Sequence, residues 1–176
     1  MSIIIRGVPL AENKTFWNSL VSGEFAKKVE ESTKMKPFSS PESIYNIVKP
    51  LMAAHPDKEI MYGFFLNRQN QLLKMEQVAI GSISSSPVYP REIMKKCFEH
   101  RATALILAHN HPSGFCDLSS SDLKITKTMI FATNIVDIAF HDHIIVGGSE
   151  FISMADKGYI QQWREEFDDF MEINET

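Results

Sequence analysis

The chain has 176 residues, 44% hydrophobic and 23% charged, proportions that exclude a disordered or fibrous protein and suffice for one domain with a real core. A net charge of −4 without a long basic run is a poor basis for neutralising nucleic-acid phosphates. The two cysteines, Cys97 and Cys116, exclude a disulfide framework; no apolar stretch reaches membrane-spanning length, residues 1–7 are too short for a secretory core, and the expected location is the cytoplasm.

In chain order, residues 1–40 read as an N-terminal extension. Ile3, Ile4 and Ile5 suit a short strand, and the run from Phe16 to Lys34 contains an amphipathic helix. Residues 36–41 then read as a linker. A helix is expected from 41 to about 55, with Ser40 as N-cap and Pro41 in its first turn; Pro50 should kink or interrupt it. Residues 59–66 and 72–80 predict strands joined at Arg68-Gln69-Asn70, residues 90–100 a helix, and 103–108 a central strand. A helix over 119–134 and strands at 136–146 and 150–153 follow, with Gly147-Gly148 as a turn. From Tyr159 onward, Trp163, Phe167, Phe170, Met171 and Ile173 recur among acidic residues at helical spacing. That helix either packs on its own domain or serves as a partner or homodimer contact. The resulting division is 1–40, a main domain at 41–160, and an acidic amphipathic helix at 161–176. Strands alternating with helices, with one hairpin, argue for an α/β (α+β) fold in which a mixed β-sheet is flanked by helices.

The segment His109-Asn110-His111-Pro112-Ser113-Gly114, with Ser119 and Asp122 after it, carries the chemistry. It follows the apolar run 104–108, which reads as a buried strand. Two histidines one residue apart on extended backbone project from one face, so both imidazoles can reach one ion. Pro-Ser-Gly turns the chain, and Ser119-x-x-Asp122 opens a helix as a capping box. A carboxylate in that first turn can swing back as a third ligand. Two imidazoles and a carboxylate, with a fourth position left for water, are the ligand set of a catalytic zinc (Zn2+) site. Capping alone explains the serine and the aspartate, and a strand-end histidine is usually only polar, but neither explains the whole spacing.

His-x-His-x(7)-Ser-x(2)-Asp resembles the signature of the JAMM/MPN+ metallopeptidases, and His109-Asn110-His111-Pro112-Ser113-Gly114 resembles their bacterial RadC-like branch. Ser86-Pro87-Val88-Tyr89-Pro90-Arg91-Glu92 upstream and Asp142-His143-Ile144-Ile145-Val146-Gly147 downstream are similar to that branch too. The resemblance covers roughly residues 41–160. It implies a JAMM/MPN (cytidine-deaminase-like) architecture and zinc held by His109, His111 and Asp122. It also implies a peptide or protein substrate whose amide carbonyl is attacked by zinc-activated water. In the wider family a glutamate on an early strand is the general base; Glu59, opening an apolar strand, fits best, with Glu76 as competitor. Ser119 would steady the oxyanion.

The chain departs from that branch in two places. Many relatives have Asp-Pro-Thr-Pro where this chain has Phe115-Cys116-Asp117-Leu118; losing the prolines predicts a more mobile loop, and Cys116 is either a soft ligand or a small loop residue. Longer RadC-like proteins carry a helix-hairpin-helix-like N-terminal segment, and the first forty residues show no such glycine-hinged repeat, which weakens an inherited DNA-binding role. Arg91, Lys95, Lys96 and Arg101 offer a local basic patch, better read as the solvated face of a helix. His141 and His143 alternate around Asp142, which would place them on one face, either as a second metal pair or as histidines supporting the first. Two rival functions stand beside the hydrolase: a DNA-repair or mobile-element protein acting near DNA, and a catalytically silent MPN scaffold.

Overall fold

A computed structural model describes residues 13–33, 37–38, 40–82 and 88–173. The expected strand at Ile3-Ile4-Ile5 and part of the 86–92 motif lie outside them. Five strands form one sheet in the order β2-β1-β3-β4-β5: β1 (Lys58–Leu66), β2 (Leu72–Ser82), β3 (Ala104–His111), β4 (Ala139–Gly147) and β5 (Glu150–Ser153). The β1/β2, β1/β3 and β4/β5 pairs are antiparallel, and β3/β4 is parallel. The sheet is therefore mixed, as expected. The parallel step requires a crossover, and α5 (Ser120–Asn134) supplies it.

Helices cover both faces. On one side α4 (Pro90–Glu99), α5 and α6 (Tyr159–Ile173) bury Ile93, Cys97, Met129, Ile130, Ile160 and Trp163 against Phe65, Leu105, Leu107 and Ile145. On the other, α1 (Asn13–Val21) and α3 (Pro41–Ala53) bury Leu20, Ile44, Val48, Leu51 and Met52 against Phe64, Ile106, Ala108 and Ile144. Cover on both faces is why β3 is an unbroken apolar run rather than an alternating one. Among the described residues no helix is long and apolar enough to cross a membrane.

Several local expectations need correction. Where a helix is expected within Phe16–Lys34 there are two, α1 and α2 (Glu24–Thr33). Gly23 breaks the run with φ 78°, a left-handed backbone that glycine adopts at little cost, and Phe16 meets Phe25 edge-on across the break. Pro50 does not interrupt α3, which runs on to Ala53 with Leu51 and Met52 buried. Proline removes the amide that would bond the carbonyl of Asn46; that residue is exposed, where water can replace the bond. Ser40 holds the extended N-cap backbone, but its side chain makes no cap bond. Its carbonyl instead accepts from the Ser43 hydroxyl at 2.5 Å. At the expected linker, Pro37 bridges Gln71 and the Phe38 amide donates to the Asn70 carbonyl, so these two residues dock on the β1–β2 turn.

The terminal helix packs on its own domain. Trp163 and Phe167 are buried, Phe167 stacks edge-on against Phe131 of α5, and Lys127 pairs with Glu166 between the same helices. Phe170 and Met171 remain exposed.

Candidate metal centre

The site is built where β3 runs out of its apolar stretch. His109 and His111 project toward the N-terminus of α5, with ring centroids 4.8 Å apart and the two Nε2 atoms 3.0 Å apart. Helix α5 begins with the capping box expected there. The Ser119 hydroxyl accepts from the Asp122 amide at 3.1 Å, and Asp122 Oδ2 accepts from the Ser119 amide at 2.8 Å. The box does more than end a helix, because it aims the carboxylate back at β3. Asp122 Oδ1 lies 3.1 Å from His109 Nε2 and Oδ2 lies 3.3 Å from His111 Nε2. His109 and Asp122 are buried and His111 is partly exposed.

The polarity of this cluster tests whether it suits a metal. His111 Nδ1 lies 3.2 Å from the Phe115 carbonyl. A carbonyl only accepts, so Nδ1 carries a hydrogen, and Nε2 is the nitrogen left to bond the Asp122 carboxylate or to ligate a metal. That nitrogen converges with the carboxylate oxygens and with His109 Nε2. Ligand atoms at about 2.0–2.1 Å from a tetrahedral zinc are roughly 3.3 Å apart, close to the 3.0–3.3 Å found here. His109, His111 and Asp122 therefore fit a divalent metal ion.

Electrostatics agree. Burial alone would raise the Asp122 carboxyl, but its bonds to His109, His111 and Ser119 outweigh burial and hold it well below the usual range. The bond to Asp122, opposed by burial, raises His111. Burial, reinforced by the neighbouring His109, holds His143 well below the ordinary imidazole range.

Glu59 lies at the mouth of the cluster, its Oε1 3.9 Å from His109 Nε2 and its side chain 44% exposed. Glu76, the competitor, is elsewhere: it accepts from Lys96 at 2.6 Å and contacts His100 at 2.9 Å. Lys96 is thereby paired, while Arg91 pairs with Glu92 and Lys95 with Glu99, so three of the four residues weighed as a basic patch carry an acidic partner. Cys116 belongs to the loop rather than to the cluster, donating to the Ile145 carbonyl at 3.2 Å.

His141 and His143 do not share a face. In the β3/β4 register Leu105 pairs with Phe140 and Ile106 with Asp142, so His141 is skipped. A bulge of this kind leaves two successive residues on one side. His141 bonds Asn70 near Ile44, whereas His143 is buried with its Nε2 2.9 Å from His109 Nδ1. The bulge removes the second metal pair and brings His143 to the first. Asp142 between them is buried and tied by Ser153, Ala155 and its neighbour's amide; burial raises its carboxyl.

Three residues of the site escaped the sequence reading. Asn110, between the two histidines, accepts from the Ile60 amide and donates to the Lys58 carbonyl, both at 2.8 Å. The β1/β3 ladder ends at Met61↔His109, and this side chain continues it, gripping the backbone on both sides of Glu59. Thr126 lies four residues beyond Asp122, on the same face of α5, a spacing that could have revealed it. The sequence places Gly147 in a turn and at the end of the downstream motif, without a role at the site. A Cβ there would sit 2.6 Å from the Cys116 nitrogen and 2.7 Å from the Phe115 oxygen, so the absence of a side chain lets the loop deliver that oxygen to His111. Gly147→Ala is expected to displace the loop and weaken metal affinity about 10-fold or more, measured by chelator competition. Unchanged affinity would show that the Phe115 contact is dispensable.

The RadC-like JAB domain family matches residues 38–159. Similar proteins include a UPF0758 protein of Cellvibrio japonicus, 38% identical over 122 residues (69% of this chain and 54% of that protein). Another, from Photobacterium profundum, is 47% identical over 103 residues (58% of this chain, 46% of that protein). A third, from Saccharophagus degradans, is 45% identical over 106 residues (60% and 47%). The chain thus spans about half the length of these curated relatives. It belongs to the RadC-like JAB domain family of the JAMM/MPN superfamily.

Proposed function

We propose that the protein is a zinc-dependent hydrolase of amide bonds, a metallopeptidase or isopeptidase acting on a peptide or protein substrate. The observation that carries this reading is the convergence of His109, His111 and Asp122, with the carboxylate of Glu59 3.9 Å from His109 Nε2. When bound, zinc supplies Lewis acidity, making water a competent nucleophile near neutral pH and polarising the substrate carbonyl.

The chain's own residues supply the rest. His109, His111 and Asp122 would hold the metal. Glu59 accepts the proton of the attacking water and passes it to the leaving nitrogen, and Asn110 fixes the backbone that carries it. The Ser119 hydroxyl, which donates to Asp122 Oδ2 at 2.6 Å and lies 2.8 Å from Ser121 Oγ, turns to a substrate oxyanion as negative charge develops. The Ser119 amide holds the carboxylate meanwhile, so capping and catalysis coexist.

The test is cleavage of a panel of fluorogenic peptides and isopeptide-linked substrates by zinc-loaded protein. Cleavage that is abolished by a chelator and restored by zinc supports the reading. Zinc-loaded protein that cleaves none of them contradicts it.

A further inference from the structure

We propose that the cavity between α3 and the bulged start of β4 binds a protonated amine on a short apolar stem, either a free alkylammonium ion or the lysine side chain of a peptide. The site is separate from the metal centre and does not depend on it.

The β4 bulge makes the floor. By leaving His141 and Asp142 on one side of the strand, it places two successive polar residues in the wall of one cavity. That cavity lies on the α3 face of the sheet. Ile106 of β3 lines it, whereas His109, three residues on, faces Asp122 of α5.

The cavity measures about 210 Å³. A liquid water takes about 30 Å³ and a drug-sized ligand needs roughly 300–1,000 Å³, so the space suits a group the size of one side chain. Phe38, Pro41, Ile44, Ile106 and Ile144 supply apolar walls for an aliphatic stem. Phe38 is held in place, its ring edge-on to Phe64 at 5.7 Å and its amide bonded to the Asn70 carbonyl.

Charge selects the head group. Asp142 is 5% exposed, and only neutral donors meet its carboxylate. Oδ1 accepts from the His143 and Ala155 amides, and Oδ2 from the Ser153 hydroxyl. Two carboxylate oxygens offer about four acceptor positions, so one is left over at Oδ2. Burial outweighs these bonds and raises the Asp142 carboxyl, and the charge of Asp156 raises it further. Asp156 stands at the exposed rim of the same cavity, and neither carboxylate has a cationic partner among the described residues. No lysine or arginine lines the cavity. Burial, with the charge of Arg164, holds His141 below the ordinary imidazole range, so its ring brings no positive charge at neutral pH. The N-terminus of α3 at Ser40 and Pro41 favours an anion by about half a charge, but Glu42 in its first turn offsets that end. A cation seated by Asp142 and Asp156 therefore meets charge that the protein leaves uncompensated.

The test titrates the full 15N-labelled chain at constant ionic strength with isopentylammonium chloride. Isopentanol and 4-methylpentanoate serve as neutral and anionic counterparts of the same shape, and amide spectra report where each binds. Isopentylammonium should shift Asn70, His141 and Ala155 saturably, with a Kd in the millimolar range expected of so few heavy atoms. Isopentanol should bind about 10-fold more weakly or worse. Asp156→Asn should weaken the amine about 3-fold and Asp156→Lys about 10-fold, both at an exposed position that leaves the fold intact. Nα-acetyl-lysine methylamide carries the same ammonium on a peptide backbone. Binding as tight as isopentylammonium assigns the site to a peptide side chain, and binding of isopentylammonium alone assigns it to a free amine. The proposal is overturned if isopentanol or 4-methylpentanoate binds as tightly as the amine, if Asp156→Lys leaves its affinity unchanged, or if none of these resonances moves.

Discussion

Glu59→Gln is expected to lower kcat by about 10²- to 10⁴-fold, the usual contribution of a general base, while zinc content stays at the wild-type level. The amide preserves shape but cannot accept a proton. Glu59 is 3.9 Å from His109 Nε2 and 44% exposed, so the change neither removes a ligand nor disturbs the core. The backbone around it is held by Asn110, which keeps the variant's strand in place. Elemental analysis beside steady-state kinetics, on whichever peptide or isopeptide the wild type cleaves, makes the comparison. Retained turnover would remove Glu59 from its role. Glu76 could not inherit that role, because Lys96 and His100 occupy its carboxylate on the α4 side of the sheet.

Asp122→Ala should abolish metal binding and also destabilise the fold, because one side chain serves both purposes. Loss of the capping box costs about 1–2 kcal/mol, or roughly 2–8 °C in Tm for a protein of this size. Asp122→Asn separates the two effects. Its amide oxygen can still accept from the Ser119 amide, so most of the cap survives, but the negative charge that balances the metal is gone. Zinc affinity should therefore collapse in both variants, while Tm of the metal-free protein falls clearly only in Asp122→Ala. Wild-type zinc affinity in Asp122→Asn would mean that the carboxylate is not a ligand.

The cluster of His109, His111 and Asp122 was legible because its geometry is local. His109 and His111 share a face by strand alternation, and Ser119-x-x-Asp122 declares both a helix start and the direction of its carboxylate. The sheet was legible for a similar reason, since runs such as 59–66 and 104–108 have strand composition and length. What failed to show depended on contacts distant in sequence or on one irregular residue. Asn110 acts on Lys58 and Ile60, fifty residues away, and nothing in its own neighbourhood points there. The bulge at His141 exchanges the faces of β4, so simple alternation misplaced His141 relative to His143. The helix break at Gly23 was hidden by an apolar pattern that continues across it. Pro50 misled in the opposite direction, because an exposed turn of helix can lose one hydrogen bond and continue.

The most direct test of the account is the metal content of the purified full chain by elemental mass spectrometry, wild type beside His111→Ala. His111 is partly exposed and lies outside the hydrophobic core, so its removal should leave the fold intact. The account predicts about one zinc per wild-type chain and none in the variant. Wild-type protein without metal, even after incubation with zinc, would contradict it.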